Sequence, residues 1–262
     1  MILIDQDIKY GKITLTESLR DYLSLTKPRI ISLLLITALG GMFLATQGIP
    51  QPKLIFLVML GGSLAAGGAN AINQVLDRDI DEIMARTRQR PVAGQRIQAW
   101  KALSFGVLLN VLAFVMFTLW VNLLSALLAL SATLFYVFVY TLWLKRSTPQ
   151  NIVIGGAAGA FPPLIGWAAV TDSLGLSPLY LFVIIFFWTP PHFWALSLLL
   201  RHDYSKAGIP MLPVVIGVQE TIKNIYLYTI VLVTITILFF TIGVVGYVYL
   251  TGITILGILY LF

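Results

Sequence analysis

Three polar side chains stand at four-residue steps where an apolar run ends: Asn73, Asp77 and Asp81, within Gly67-Gly68-Ala69-Asn70-Ala71-Ile72-Asn73-Gln74-Val75-Leu76-Asp77-Arg78-Asp79-Ile80-Asp81-Glu82. On a helix these positions form one stripe about 12 Å long at 1.5 Å per residue. Stacked carboxylates repel, and a divalent cation between them removes the repulsion. The donors are oxygens only, because the chain has no cysteine and no histidine near the stripe; that set favours Mg²⁺ over zinc or copper. Mg²⁺ keeps waters and shares its shell readily with phosphate oxygens. Arg86, Arg88, Arg90 and Arg96 downstream, and Lys145 with Arg146 further on, can complete a phosphate clamp. The competing reading is a solvated charge run with internal ion pairs. Position weighs against it, since a polar stripe at the end of an apolar span is costly unless it faces a cavity. Gly67 and Gly68 read as helix-packing residues.

A second candidate lies in Phe187-Trp188-Thr189-Pro190-Pro191-His192-Phe193-Trp194, followed by Arg201-His202-Asp203-Tyr204-Ser205-Lys206. Two consecutive prolines remove two backbone donors inside an apolar run, which predicts a kink. His192 is the sole titratable group inside a span and away from its ends, so it is a functional candidate; a buried structural hydrogen-bonder is the equal alternative. Asp203 can supply a further metal carboxylate, with Arg201 and Lys206 as phosphate partners, while His202 carries no assignment. Small residues from Asn151 to Pro163 allow a helix or a flat ligand to approach closely, helix packing being the simpler cause. Trp167, Trp188 and Trp194 can line a pocket for a cationic intermediate or sit at membrane interfaces.

These groups must be positioned by membrane helices. Of 262 residues 58% are apolar and 11% charged, which excludes a soluble enzyme and a disordered chain. At about 20 residues each, that apolar content fills seven or eight spans. The runs lie at about 30–46, 54–76, 102–119, 123–143, 151–170, 179–200, 224–242 and 247–262, so the expected fold class is an all-α polytopic membrane helix bundle with eight visible spans. The last run is still apolar at Phe262, which predicts a chain end within the membrane or a further span beyond it. Sixteen of the seventeen Lys and Arg residues, all but Lys53, fall before residue 30 or in the loops 77–101, 144–150 and 201–223. The positive-inside rule places these segments, and the N-terminus, in the cytoplasm of a multi-pass plasma-membrane protein.

Residues 1–29 form an expected cytoplasmic segment, separate from a transmembrane domain over 30–262. Asp5, Asp7, Glu17 and Asp21 argue against a transit or signal peptide. Thr14 and Glu17 have capping-box spacing, and Leu15, Leu19, Tyr22 and Leu23 recur on one face, which predicts an interfacial helix. The two longest loops follow the second and sixth spans, as a duplicated four-helix half would produce. The net charge of +6 belongs to a membrane-facing distribution, and nucleic acid is not an expected partner.

Asn73, Asp77 and Asp81 resemble the first signature of the UbiA superfamily of intramembrane prenyltransferases. Further strings resemble its haem branch: Leu25-Thr26-Lys27-Pro28-Arg29, Met84 through Pro91, Leu144-Lys145-Arg146-Ser147-Thr148, Asn151 to Pro163, Pro190-Pro191-His192-Phe193-Trp194-Ala195-Leu196, and Asp203-Tyr204 through Met211-Leu212-Pro213. That resemblance implies a UbiA-like bundle, usually of nine spans, in which 30–262 is a Mg²⁺-dependent prenyltransferase domain. It implies transfer of a farnesyl group from farnesyl diphosphate to a vinyl group of haem B, giving haem O and diphosphate. The carried-over roles are catalytic for Asn73, Asp77, Asp81 and Asp203, with metal on Asp77, Asp81 and Asp203. Diphosphate falls to Arg86, Arg90, Lys145, Arg146 and Lys206, and haem iron to His192. The partners implied are farnesyl diphosphate, haem B, the lipid bilayer, and a haem A synthase or other oxidase-assembly factor. One departure is plain: superfamily members commonly carry a second Asp pair four apart, whereas Asp203 is followed at that step by Ala207. Rival readings are a UbiA-type enzyme acting on a quinone precursor or another tetrapyrrole, and an ion or metabolite transporter, which would place its acids nearer the midplane.

Overall fold

Within a bilayer no water is available to bond free amides, so a chain this apolar must satisfy its backbone inside helices. The computed structural model describes residues 15–261, and these are helical with no strand among them. The helices are α1 (Leu15–Thr26), α2 (Pro28–Thr46), α3 (Pro52–Leu76), α4 (Arg78–Ile83), α5 (Ala99–Trp120) and α6 (Leu123–Leu134), the last continuing through a π-wound segment (Phe135–Leu144) into α7 (Lys145–Ser147). There follow α8 (Asn151–Gly155), α9 (Ala157–Thr171), α10 (Leu176–Leu199), α11 (Arg201–Lys206), α12 (Leu212–Val215), α13 (Val218–Leu238) and α14 (Tyr247–Leu261).

Among the described residues seven segments are long and apolar enough to cross a membrane: Pro28–Thr46, Pro52–Leu76, Ala99–Trp120, Leu123–Ser147, Asn151–Thr171, Leu176–Leu199 and Val218–Ile242. The expected eighth run forms a shorter apolar helix, α14, whose 15 residues make about 22 Å at 1.5 Å per residue. A 3₁₀ turn at Phe239–Ile242 and left-handed Gly243 (φ 80°) break the helix ahead of it. α13 also starts six residues before the expected 224, because its first turns carry Glu220 and Lys223, paired at 2.7 Å, and hydropathy reads a span where backbone geometry reads a helix.

Without a hydrophobic drive between helices in lipid, contact depends on small residues. α3 packs closely on α5 and α2 on α9. A Cβ at Gly68 would run into the Gly106 carbonyl and the Asn110 amide, and one at Gly166 into the Ala38 carbonyl. The core between these helices is accordingly rich in alanine: Ala38, Ala65, Ala113, Ala126, Ala129 and Ala169 surround Met42 and Phe117. Large apolar side chains such as Leu33, Phe56, Leu119 and Leu176 point outward, as a lipid-facing surface requires.

α1 packs through Tyr22, edge-on to Phe105 with centroids 5.1 Å apart, and through fully buried Leu25. Leu19 and Leu23 face outward, so Tyr22 does not share their environment, as one common apolar face would require. Thr14, half of the expected capping box, lies outside the described residues, as do Asp5 and Asp7. α10 is continuous through buried Pro190 and Pro191. A turn at Gly156 separates α8 from α9.

The two long loops converge. Ile80 and Met84 from the first pack with Ile209, Met211 and Leu212 from the second, around Trp194 and Ile152. Each loop opens with a bend into a six-residue helix, at Asp77 (φ −94°, ψ 5°) and at Leu200 (φ −103°, ψ 14°).

Candidate active site

The stripe survives the bend at Asp77, because the Asp77 amide donates to the Asn73 carbonyl at 2.9 Å and the Asp81 amide to the Asp77 carbonyl at 2.8 Å. Asn73, Asp77 and Asp81 are 4%, 1% and 2% exposed. Two carboxylates withdrawn from water this far each cost several kcal/mol unless paired and hydrogen-bonded. Asp77 Oδ2 accepts from Asn73 Nδ2 at 2.7 Å and from Lys145 Nζ at 2.5 Å. Arg90 Nη1 donates to both oxygens of Asp81, at 2.9 and 2.8 Å. Asn73 Nδ2 also reaches Thr141 Oγ1 at 3.2 Å, and Lys27 Nζ donates to Asn73 Oδ1 at 3.3 Å.

Among the described residues Asp77 Oδ1 has no hydrogen-bond partner; Arg146 Nη2 lies 4.0 Å from it. A buried carboxylate oxygen left open in this way suits a hard cation, so the residues present fit Mg²⁺. Among the described residues no three acidic or histidine side chains converge to hold a metal by themselves. A cation here would therefore complete its shell with Asn73, water or ligand oxygens. Lys145 and Arg90 each bring a positive charge to a carboxylate, and Lys27 adds a third basic group at Asn73, an arrangement that favours an anionic ligand.

Lys27 holds a left-handed backbone (φ 57°) immediately before Pro28. Burial of its ammonium, then the nearby Arg90 charge, lowers its pKa to about 7. Arg146 donates to the Leu76 carbonyl at 2.8 Å and to Asp79 at 2.7 and 2.8 Å; its hydrogen bonding to Asp79 is the main reason that the Asp79 pKa falls to about 2. Tyr204, on α11, hydrogen-bonds with Arg86, and burial raises its hydroxyl pKa while the charges of Arg86 and Arg90 oppose the rise.

The structure thus gathers Asn73, Asp77, Asp81, Arg90, Lys145 and Arg146, with Arg86 at Tyr204 beside them. Asp203 is half-buried on α11 and Lys206 and Arg201 are exposed, none of the three in an ion pair among the described residues. Arg96 is committed elsewhere, to Asp21 at 3.0 Å and the Gln89 carbonyl at 3.0 Å. His192 is exposed on α10, stacked on Trp188 (4.4 Å, 14°) and edge-on to Phe193 (5.4 Å). A cleft of about 620 Å³ lined by Arg78, Asp79, Glu82, Gln95 and Gln98 adjoins the stripe, but none of the three stripe residues lines it.

Sequence reasoning passed over Lys27, Thr141, Tyr136, Tyr140 and Tyr204. A lysine directly before the proline that opens a span was a usable signal for the first. The two tyrosines and Thr141 carried none, because helical periodicity misplaces them in a π-wound segment.

The model of the UbiA prenyltransferase family matches residues 34–262. A Gloeobacter violaceus protein named "Protoheme IX farnesyltransferase" is 54% identical over 244 residues, 93% of this chain and 80% of that protein. A Roseiflexus protein of the same name is 53% identical over 243 residues, 93% of this chain and 46% of that protein, so the chain spans about half of that relative's length. Among solved structures, a UbiA homolog from Archaeoglobus fulgidus bound to GPP and Mg²⁺ superimposes with a TM-score of 0.75 at 20% identity, covering 92% of this chain and 86% of that one.

Proposed function

The chain belongs to the UbiA prenyltransferase family, and we propose that it transfers a farnesyl group from farnesyl diphosphate to a vinyl group of haem B, giving haem O and diphosphate. The observation that carries the choice of substrates is its identity, over nine-tenths of its length, with relatives that bear that activity as their name. The buried stripe and its excess of cations supply a place for the chemistry.

In this reading the diphosphate sits at the end of the bundle where α4, α7 and α11 meet. Asp77 and Asp81, with Asn73, would hold Mg²⁺, and Asp203 from α11 would add its charge from beyond the coordination shell. The metal supplies positive charge for the leaving group. Arg90 and Lys145, now neutralising carboxylates, stand where they can turn to the diphosphate, with Arg86, Arg146 and Lys206 beyond them. Prepositioned cations of this kind stabilise charge that builds as the carbon–oxygen bond breaks. Burial of the stripe keeps bulk water from the allylic cation, which water would otherwise trap as an alcohol. The haem vinyl group attacks the cation, and one water then supplies the hydroxyl of the product side chain and releases a proton. His192, its imidazole open on α10, orients or ligates the haem iron. The basic end faces the cytoplasm, as the charge distribution of a plasma-membrane protein requires, and the haem O leaves to a haem A synthase or another oxidase-assembly factor.

Mass spectrometry of haems extracted from cells expressing the chain, beside an empty-vector control, tests the reading. Haem O is expected only with the chain. Transfer of label from farnesyl diphosphate to 4-hydroxybenzoate and not to haem B would overturn it.

A further inference from the structure

The last four carbonyls of a helix have no partner within it, and at the end of α1 all four are satisfied from outside the helical pattern. The Leu23 carbonyl accepts from Thr26 Oγ1 at 2.7 Å and the Ser24 carbonyl from the Lys27 amide at 3.3 Å. The other two are taken by α3: Gln74 Nε2 donates to the Leu25 carbonyl at 3.1 Å and Asn70 Nδ2 to the Thr26 carbonyl at 2.9 Å. Asn70 and Gln74 stand one turn apart, so both amides reach α1 from the same face of α3. Both side chains are buried, and Gln74 Oε1 has no hydrogen-bond partner among the described residues, a cost that an apolar side chain in its place would avoid.

The junction held in this way is strained. A left-handed residue after a helix is most often glycine, and a residue before proline is most often extended. Lys27 departs from both rules (φ 57°, ψ 63°), which points to its side chain as the reason for its place. That side chain donates to Asn73 Oδ1 at 3.3 Å. Lys145 and Arg90 each neutralise a buried carboxylate, whereas among the described residues Lys27 bonds only to a neutral amide. Turning Lys145 or Arg90 to a ligand bares a buried carboxylate, which is costly. Turning Lys27 gives up one long bond to an amide.

We propose that Lys27 contacts the diphosphate of the substrate, and that Asn70 and Gln74 are positioning residues that act through it by fixing the α1–α2 junction. The proposal rests on the reading of the chain as a prenyl-diphosphate transferase. A diphosphate oxygen beside Lys27 favours its ammonium form and accepts a charge-assisted hydrogen bond from it. Asn70 and Gln74 touch no ligand. They hold the two carbonyls that precede Lys27 and so set the direction in which its side chain leaves the backbone.

The test uses the full-length chain in lipid nanodiscs, with calorimetric binding of inorganic diphosphate in Mg²⁺ and turnover of farnesyl diphosphate with haem B. Lys27→Met is expected to weaken diphosphate binding about tenfold and to raise KM for farnesyl diphosphate by a similar factor. Asn70→Leu and Gln74→Met, which remove the amide donors and keep the bulk, are each expected to weaken it about threefold to fivefold, and to add nothing when combined with Lys27→Met. Lys27→Gly relieves the left-handed backbone, so it should unfold at no lower temperature than Lys27→Met and bind diphosphate as weakly. Wild-type affinity in Lys27→Met or Lys27→Gly overturns the proposal. So do Asn70→Leu and Gln74→Met effects that are as large on Lys27→Met as on wild type, because the two amides would then act on the fold and not through Lys27. A wild-type chain that releases no diphosphate from farnesyl diphosphate sinks the functional reading as well, whereas normal wild-type turnover with unchanged affinity in the Lys27 variants sinks this inference alone.

Discussion

At Asp77 and at Leu200 a long span gives way to a six-residue helix through almost the same dihedral angles, −94° and 5° at the first, −103° and 14° at the second. Counted from the bend, the positions that hold Asn73, Asp77 and Asp81 in the first half hold Leu196, Leu200 and Tyr204 in the second. The first trio is buried, whereas Leu196 is 38% exposed and Leu200 and Tyr204 are half-buried. A shared bend therefore does not make a site. What distinguishes the first is the set of groups brought to it from elsewhere in the chain: Lys27 from the α1–α2 junction, Thr141 and Lys145 from the π-wound segment, and Arg90 from its own loop. Buried carboxylates persist only with such company. The second junction buries no charge of its own and instead brings Tyr204 to Arg86.

The comparison is broken most directly at the first junction. Asp77→Ala or Asp81→Ala is expected to lower prenyl transfer roughly a thousandfold or more, since each removes a carboxylate proposed to hold metal and frees a cation from its partner. Membrane insertion should remain normal, and Asp77→Asn, which keeps the shape and removes the charge, should lose nearly as much. Retained turnover of farnesyl diphosphate with either substitution would show that the buried stripe is structural. At the second junction Asp203→Ala should cost only about fivefold to tenfold, the effect of a half-exposed charge acting through solvent-screened attraction. A loss as large as that of Asp77→Ala would erase the difference between the halves and set Asp203 in the same coordination shell.

Much of this arrangement was legible in the sequence where one chemical rule decided it. The spans followed from apolar content and length, and the stripe from a four-residue step that survives a bend because the i to i+4 amide bonds survive it. The loops at 77–101 and 201–223 announced the paired junctions. Tyr136, Thr141 and Tyr140 were not legible, because their alignment with Lys145 depends on a change of winding that leaves no mark in apolar periodicity. Continuous helix through Pro190 and Pro191 likewise depends on neighbours that local sequence does not name.

The smallest effect is expected at the exposed edge of the first junction, where Asp79 holds Arg146. Its carboxylate is 58% exposed, so the pair is largely screened, and Asp79→Asn should leave transfer within about threefold of wild type. The pH dependence has a definite sign. Arg146 lowers the Asp79 pKa to about 2 in the folded protein, below the unfolded value of about 3.9, so the unfolded chain takes up its proton first as pH falls. The stability due to the pair is whole above about pH 4 and is lost as the pH drops through about 2. Thermal unfolding of wild type and Asp79→Asn in nanodiscs should accordingly differ slightly at pH 7, less in high salt, and not at all near pH 2. A difference that persists at pH 2 would mean that Asp79 acts through something other than charge. A loss of activity approaching that of Asp77→Asn would mean that Arg146 depends on Asp79 to stand 4.0 Å from Asp77 Oδ1, which would tie the exposed pair to the buried one.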